Sequence, residues 1–444
     1  MHKYLIALVT LAAGISAVAA QPCKQQISGT KTLYTAPGQT PGTPAHYGPV
    51  FINYAGRHGA RHLTKEVNTS YAWQLLHQAD SAQALTAEGL RLKQMVDRLD
   101  KVEHKKVKSI SAEGRDELRG IGGRMVANYP AVFAGKPQIS IAVTKEIRTQ
   151  QSADAFLQGL KAHLKDSAVI TRNNDDIHLR FYDAAPAYVR FEKSGSWQQP
   201  MQKLEDALQA DHIRHDLLSR IFKPAFASAL AGGQAVKFTD DVFGFLTIAY
   251  SLDAEIKQAG FTPPELDFKT FFMCNELTAL GRLDEADDYL KKGPGTDANG
   301  LQVRIAVPLL VEFIQSTDEY IKTGKPAADL RFGHAETILP FAALLNISTA
   351  DKATTDLNEL DKVFQAGNIA CLGANIQWVV YRNTQGEYLV KVLLNEKEAR
   401  IDGLSSNTWP YYNWKALRGF YTGKLAGMHV QLTDDMEAYL TSLQ

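Results

Sequence analysis

Hydrophobic and polar positions alternate along this chain in two periods. Val50-Phe51-Ile52-Asn53-Tyr54 is an almost unbroken apolar run and predicts a buried strand. Gln138 to Val143 alternates and predicts a second strand. Leu330-Arg331-Phe332 predicts a third, and Ile376 to Arg382 with Tyr388 to Asn395 predict an antiparallel hairpin around Asn383-Thr384-Gln385-Gly386-Glu387. Between them the apolar spacing is helical. Leu85, Leu92, Met95, Val96 and Leu99 share one face of a helix over 85–99, and Phe156, Leu157, Leu160 and Leu164 one face of a helix over 149–164. Shorter helices are expected at 71–78 and from Ser111 through Met125.

From about 195 to 325 the pattern is wholly helical, with candidates at 201–222, 240–259, 268–280 and 301–323. A helix is also expected between Ala335 and Leu345. Strands alternating with helices on both sides of a helical stretch predict an α/β fold. Its central sheet should be mixed and mainly parallel, flanked by helices, with an inserted helical lobe. The expected division is 21–175 and 305–444 for the core and 176–304 for the lobe.

The first twenty residues have another character. His2 and Lys3 precede an apolar run from Leu5 to Ile15, followed by Ala17-Val18-Ala19-Ala20. This predicts a secretory signal peptide cut after Ala19 or Ala20, too short to span a bilayer. Residues 21–48, rich in Gly, Pro and Thr, predict an extended arm. An exported protein tolerates disulfides, but Cys23, Cys274 and Cys371 allow one at most. Cys274, in the run Phe271-Phe272-Met273-Cys274, is expected to be a packed thiol, and the sequence assigns no pair. The 444 residues carry 48 basic and 48 acidic side chains, so no global field points to nucleic acid or a membrane surface. No segment after the leader is long and apolar enough to cross a membrane. An attraction for anions must be local.

It is local at Arg57-His58-Gly59-Ala60-Arg61-His62-Leu63-Thr64, which follows the first strand. In α/β folds the C-terminal ends of parallel strands hold ligands. Two guanidiniums that keep their charge disfavour a protonated imidazole between them and attract an anion. A neutral imidazole beside a bound phosphate is a nucleophile. Arg148 and the pair His334 and Glu336 stand at two further strand-to-helix junctions. If the three strands are parallel neighbours, all these groups meet at one sheet edge, where helix N-termini add N–H donors. A metal site drawn from His58, His62, His334 and Glu336 is the alternative, but Arg57 and Arg61 would repel a dication. No metal or other cofactor is expected.

Arg-His-Gly-x-Arg-x-x-Thr resembles the signature of the histidine phosphatases, in the branch that holds acid phosphatases and phytases. Val143-Thr144, Arg148-Thr149, Ser152-Ala153, Phe156 and Gly159 resemble that family's second block. Ile110-Ser111-Ala112-Glu113-Gly114, Leu179 to Asp183 and Val392 to Glu396 resemble others. His334-Ala335-Glu336 replaces the His-Asp of most acid phosphatases. With Ser28-Gly29-Thr30-Lys31-Thr32, it resembles the multiple inositol polyphosphate phosphatases. The resemblance implies a phosphoglycerate mutase-like core, with His58 as nucleophile and Arg57, Arg61, Arg148 and His334 as phosphate ligands. Glu336 would be the proton donor, its pKa raised by a neighbouring phosphate dianion. Substrates are expected to be phosphate esters, inositol polyphosphates such as phytate foremost. Thr64, Lys65, Lys31, Arg180, Arg190 and Lys397 are possible further substrate contacts. A broader acid phosphatase and a noncatalytic phosphate-binding protein are the alternative functions.

Overall fold

The computed structural model describes residues 28–38, 42–165 and 167–444. The expected signal peptide and Cys23 lie outside them. Eight strands form one sheet: β1 (Tyr47–Arg57), β2 (Gln138–Val143), β3 (Val169–Asn174), β4 (Ala328–Gly333), β5 (Asn375–Asn383), β6 (Tyr388–Leu394), β7 (Lys397–Glu398) and β8 (Tyr411–Asn413). Their order is β3-β2-β4-β1-β5-β6-β7, with β8 also on β6. The first four strands of that order run parallel; β5 to β8 pair antiparallel. The sheet is therefore mixed, with parallel core strands, as expected. The sequence reading passed over β3, β7, β8 and the helices Trp414–Gly427 and Met436–Ser442.

The three strands expected at the anion site are immediate neighbours. β4 lies between β1 and β2, pairing Arg57 with Gly333 on one side and Val143 with Phe332 on the other. All three strands therefore end together, and each releases a loop or helix at that edge. The connections include the helices Ala112–Asn128, Ile147–His163 and Ala335–Leu344. Ser111 caps the first by accepting the Gly114 N–H at 3.2 Å.

Glycines let these helices approach the loop after β1 closely. A Cβ on Gly59 would meet the Gly114 backbone, and one on Gly114 would overlap the Ala60 carbonyl. A Cβ on Gly159 would strike the Arg119 carbonyl, and one on Gly122 the Phe156 carbonyl. Helices Ala112–Asn128 and Ile147–His163 thus pack backbone to backbone, and together they clamp the loop after β1.

The opposite face of the sheet meets the helical region in one continuous apolar cluster, which runs from Phe51 and Trp378 to Phe222, Phe238 and Tyr289. Buried polar groups fix its register. Arg331 in β4, 1% exposed, donates to Asn53 Oδ1 in β1 at 2.6 Å and to Glu312 and Asp329 at 2.8 and 2.7 Å. Asn53 in turn donates to the Phe313 carbonyl at 2.9 Å, tying helix Val307–Thr323 to β1.

Helix boundaries differ from the periodicity where backbone chemistry intervenes. The expected helix 201–222 is two helices, Gln198–Ala207 and Ala210–Ile221, broken at Gln209, which has φ 54°. The expected helix 301–323 is interrupted before Val307-Pro308, since Pro308 lacks an N–H to continue it. Leu301–Arg304 is a single separate turn. The expected helix 268–280 is a 3₁₀ turn at Phe268–Phe271 followed by Cys274–Lys292. Cys274 is disulfide-bonded, which corrects the expected packed thiol. Cys371 is the buried free cysteine among the described residues.

The glycine packing has a direct test. Gly114→Ala should lower the denaturation midpoint by the equivalent of about 1–3 kcal/mol, because the clash is with backbone that cannot move aside. Gly244→Ala, inside helix Gly232–Ala249 with open space at its Cβ, should be neutral or stabilising by up to ~1 kcal/mol. Equal effects in urea unfolding of the two variants would refute the close-approach argument.

Candidate active site

The loop after β1 is held at every backbone position that matters. Arg57 N–H donates to Ala374 O at 2.7 Å and His58 N–H to Gly333 O at 3.1 Å. Gly59 N–H donates to Ser152 Oγ at 3.1 Å, and Ala60 N–H to Glu117 Oε2 at 2.7 Å. Glu117 also accepts Tyr34 N–H at 2.9 Å. Burial raises the Glu117 carboxyl pKa to about 7, against the pull of these backbone donors.

This scaffold fixes the ring of His58 through one of its nitrogens. Nδ1 lies 2.9 Å from the Gly59 carbonyl, an acceptor only, so Nδ1 carries the proton and Nε2 keeps its lone pair. Burial, then the charges of Arg57, Arg148 and Arg61 with His334, hold the imidazole pKa well below its ordinary value. His58 is therefore neutral, with a defined tautomer.

The guanidiniums stand at the same strand ends, Arg57 buried and Arg61 and Arg148 partly buried. Arg57 Nη1 donates to the carbonyls of Thr30 and of Ala370, the latter at 2.6 Å. Arg61 Nη1 donates to His62 O at 2.9 Å. Arg148 Nη1 pairs with Glu146 at 2.8 Å. The Nε atoms of Arg57 and Arg148 are buried without a protein acceptor. Burial and the neighbouring cations Arg57 and Arg148 lower the Arg61 pKa to about 10. Such a cluster is a seat for an anion.

His334 closes the group, its ring 5.5 Å from that of His58, centroid to centroid. Its Nδ1 accepts from Arg148 Nη2 at 3.1 Å, so its proton sits on Nε2, which faces Thr144 Oγ1 at 3.0 Å. In this arrangement His334 orients Arg148. Its N–H is engaged by Thr144 rather than offered to an oxyanion.

Glu336, in the first turn of helix Ala335–Leu344, has a side chain 32% exposed, and its Oε1 lies 3.4 Å from Lys292 Nζ. Burial disfavours its charge, but Lys292, His334, its own backbone N–H and Arg57 outweigh burial and hold the carboxyl well below the usual range. The charges around Glu336 thus favour its carboxylate form, where the sequence reading expected a raised pKa. That expectation applies only with a phosphate dianion alongside.

The further contacts named from sequence are dispersed. Lys31 is bound to Asp284 at 2.8 Å. Arg180 is near the site but paired with Glu146 at 2.9 Å and with Asp183. Thr64 and Lys65 line a separate cleft of about 500 Å³ with Lys237 and Asp240. Lys397 lines a cavity of about 1180 Å³ with Arg400 and Trp409. Arg190 is exposed on helix Pro186–Ser194. His62, a ligand in the metal alternative, instead lies 3.1 Å from Glu103 and 3.8 Å from Glu255. Among the described residues no group of three or more His, Cys, Asp or Glu side chains is arranged to hold a metal ion.

Sequence reasoning missed Lys292, Glu146 and Glu117, which hold Glu336, Arg148 and the catalytic loop. It also missed Lys108, whose charge, with Arg148 and Arg180, overcomes the burial of Glu146 and lowers that carboxyl's pKa. The run His104-Lys105-Lys106-Val107-Lys108 was a visible signal for the last of these. Lys292 is brought in by tertiary packing and had none.

Comparison with known proteins agrees with this geometry. The chicken multiple inositol polyphosphate phosphatase 1 is 24% identical over 410 residues, covering 87% of this chain and 84% of that protein. The crystal structure of the Bifidobacterium longum multiple inositol polyphosphate phosphatase, in complex with inositol hexasulfate, matches with TM-score 0.76 at 19% identity. It covers 90% of this chain and 98% of the other. The D. castellii phytase matches with TM-score 0.61 at 15% identity, covering 94% and 90%. The model of the histidine phosphatase superfamily, branch 2, matches residues 55–395, from the end of β1 through β6, and the chain belongs to that family.

Proposed function

We propose that this protein is a phosphomonoesterase acting on inositol polyphosphates through a phosphohistidine at His58. The observation that carries the proposal is the neutral, tautomer-fixed imidazole of His58 set among the charges of Arg57, Arg61 and Arg148, with the Glu336 carboxyl close enough to feel Arg57 and His334. A binding protein needs the arginines but neither a lone pair aimed at phosphorus nor a proton donor.

The chemistry follows from these positions. Arg57, Arg61 and Arg148 hold the non-bridging oxygens and offset charge that develops in the transition state. His58 Nε2 attacks phosphorus in line, and the P–O bond to the leaving alcohol breaks as the P–N bond forms. Glu336 gives its proton to the departing oxygen. It then takes a proton from water, which attacks the phosphohistidine and releases inorganic phosphate. Lys108 extends positive charge from the scissile site and suits a further phosphate, whereas Arg180 is largely taken up by Glu146 and Asp183. The inositol polyphosphate assignment draws on the likeness to the chicken and Bifidobacterium longum proteins and on His334-Ala335-Glu336. Residues 176–304 serve in this reading as a helical lobe that brings Arg180 and Lys292 to the site. Residues 1–20 are a secretion signal. The disulfide at Cys274 fits an oxidising compartment. An exported protein whose N-terminus is not at residue 20 or 21 would overturn that cleavage.

Two variants test the catalytic roles. His58→Ala should retain its thermal midpoint and lose nearly all release of phosphate from phytate. Rapid acid quench of the wild type with labelled substrate should trap phosphate on His58, and turnover persisting in the variant would defeat covalent catalysis. Glu336→Gln should reduce the phosphorylation rate on an alkyl phosphate such as an inositol phosphate by about 10²–10⁴. The loss should be much smaller for p-nitrophenyl phosphate, whose leaving group departs with little protonation. Equal losses in single-turnover measurements would remove Glu336 from the donor role.

A further inference from the structure

Lys292 is the last residue of helix Cys274–Lys292, and its ammonium enters the site from outside the sheet. It lies 2.7 Å from Asp288 Oδ1 and 3.4 Å from Glu336 Oε1, with side-chain exposures of 17%, 5% and 32% for the three groups. Asp288 is fixed in turn by the Thr30 hydroxyl, which donates to Oδ2 at 3.0 Å. The lysine is thus anchored to one carboxylate and turned toward a second, the donor in the proposed reaction.

The pairing opposes that role, because a general acid must carry a proton and an adjacent ammonium favours the carboxylate. The other charges around Glu336 do not resolve the conflict. Arg57 and Arg61, following β1, and His334, beside it in sequence, also favour its ionised form. Glu192 and Asp288 act in the opposite sense, and the hydroxyls of Tyr182 and Tyr188 face it uncharged. Asp288 is itself neutralised by Lys292. What frees Glu336 is an anion that takes over the ammonium. A phosphate on the ring carbon next to the scissile ester is such an anion, and a simple monoester has none.

Resting on the phosphatase reading, we propose that Lys292 is a positioning residue that makes the proton on Glu336 conditional on a second phosphate vicinal to the one being removed. In the empty site Lys292 holds Glu336 as a carboxylate. The vicinal phosphate draws the ammonium to itself. The scissile group, arriving as a monoanion, passes its proton to Glu336 and lies in the arginine cluster as a dianion. That same proton goes to the leaving alkoxide when the P–N bond forms, and the water of the second step restores it. The overall change is monoester monoanion plus water giving alcohol plus dihydrogen phosphate, the proton on Glu336 leaving with the product as the site returns to its carboxylate. The site would favour substrates bearing adjacent phosphates beyond what their added charge contributes to binding.

The test uses the full-length protein and single-turnover phosphorylation rates at saturating substrate across pH, with inositol hexakisphosphate and an inositol monophosphate. A protonated acid is required, so a higher pKa on Glu336 moves the alkaline limb to higher pH. In the wild type the limb should lie higher for the hexakisphosphate. In Lys292→Met and Lys292→Gln the monophosphate limb should rise by about one unit, roughly tenfold in rate at a pH on the falling side. The gap between substrates should then close. Lys292→Arg, which keeps the charge, should keep the gap. Coincident limbs in the wild type overturn the inference without any variant, as does a monophosphate limb unmoved in folded Met and Gln variants. A protein that releases no phosphate even from p-nitrophenyl phosphate would instead refute the phosphatase reading.

Discussion

Three guanidiniums, one buried and two partly buried, around one uncharged imidazole are the constraint to which the rest of the site answers. Like charges in low dielectric repel, and each loses hydration. The fold meets this with acceptors placed behind the cations, away from the pocket. Carbonyls of Thr30, Ala370 and His62 serve Arg57 and Arg61, and Glu146 serves Arg148. His58 is kept neutral by burial and by the same positive field that, in the proposed reaction, would attract the phosphate. Binding and activation of the nucleophile are therefore one electrostatic fact.

The parallel strands make such crowding possible. β2, β4 and β1 end side by side, so residues 57, 148 and 334, far apart in sequence, meet without long loops. Tight glycine contacts with the flanking helices then remove the freedom a loop would otherwise keep. Buried Arg331, bonded across to Asn53, secures the pairing of β4 with β1 on the opposite side from the chemistry.

What the sequence disclosed follows from what periodicity and motif encode. β1, β2 and β4 carry buried apolar positions and were legible, as were the Arg-His-Gly loop and the junction residues attached to them. β3, Val169–Asn174, is an edge strand, mostly exposed and polar, with no apolar face to betray it. The break at Gln209 is a left-handed backbone turn at a residue that gives no warning of one. Arg180 and Lys31 were visible as cations, but their carboxylate partners come from tertiary packing and cancel much of the expected role. Lys292 was hidden for the same reason. The state of Glu336 depends on a lysine 44 positions earlier in the chain, which no local pattern links to it.

The arm at residues 28–38 lies upstream of the first strand yet completes the centre of the molecule. The Thr30 carbonyl accepts from Arg57, the Thr30 hydroxyl grips Asp288, and the Lys31 carbonyl accepts from the Tyr250 hydroxyl. A single turn of 3₁₀ helix, Gly29–Lys31, thus joins the catalytic arginine to two elements of the helical region. The sheet and its helices can be fully formed and still have Arg57 without one of its acceptors. Competence consequently depends on a segment that stands before the first strand and reaches back to the ends of the sheet. A change in this arm then acts on the setting of Arg57 sooner than on the sheet.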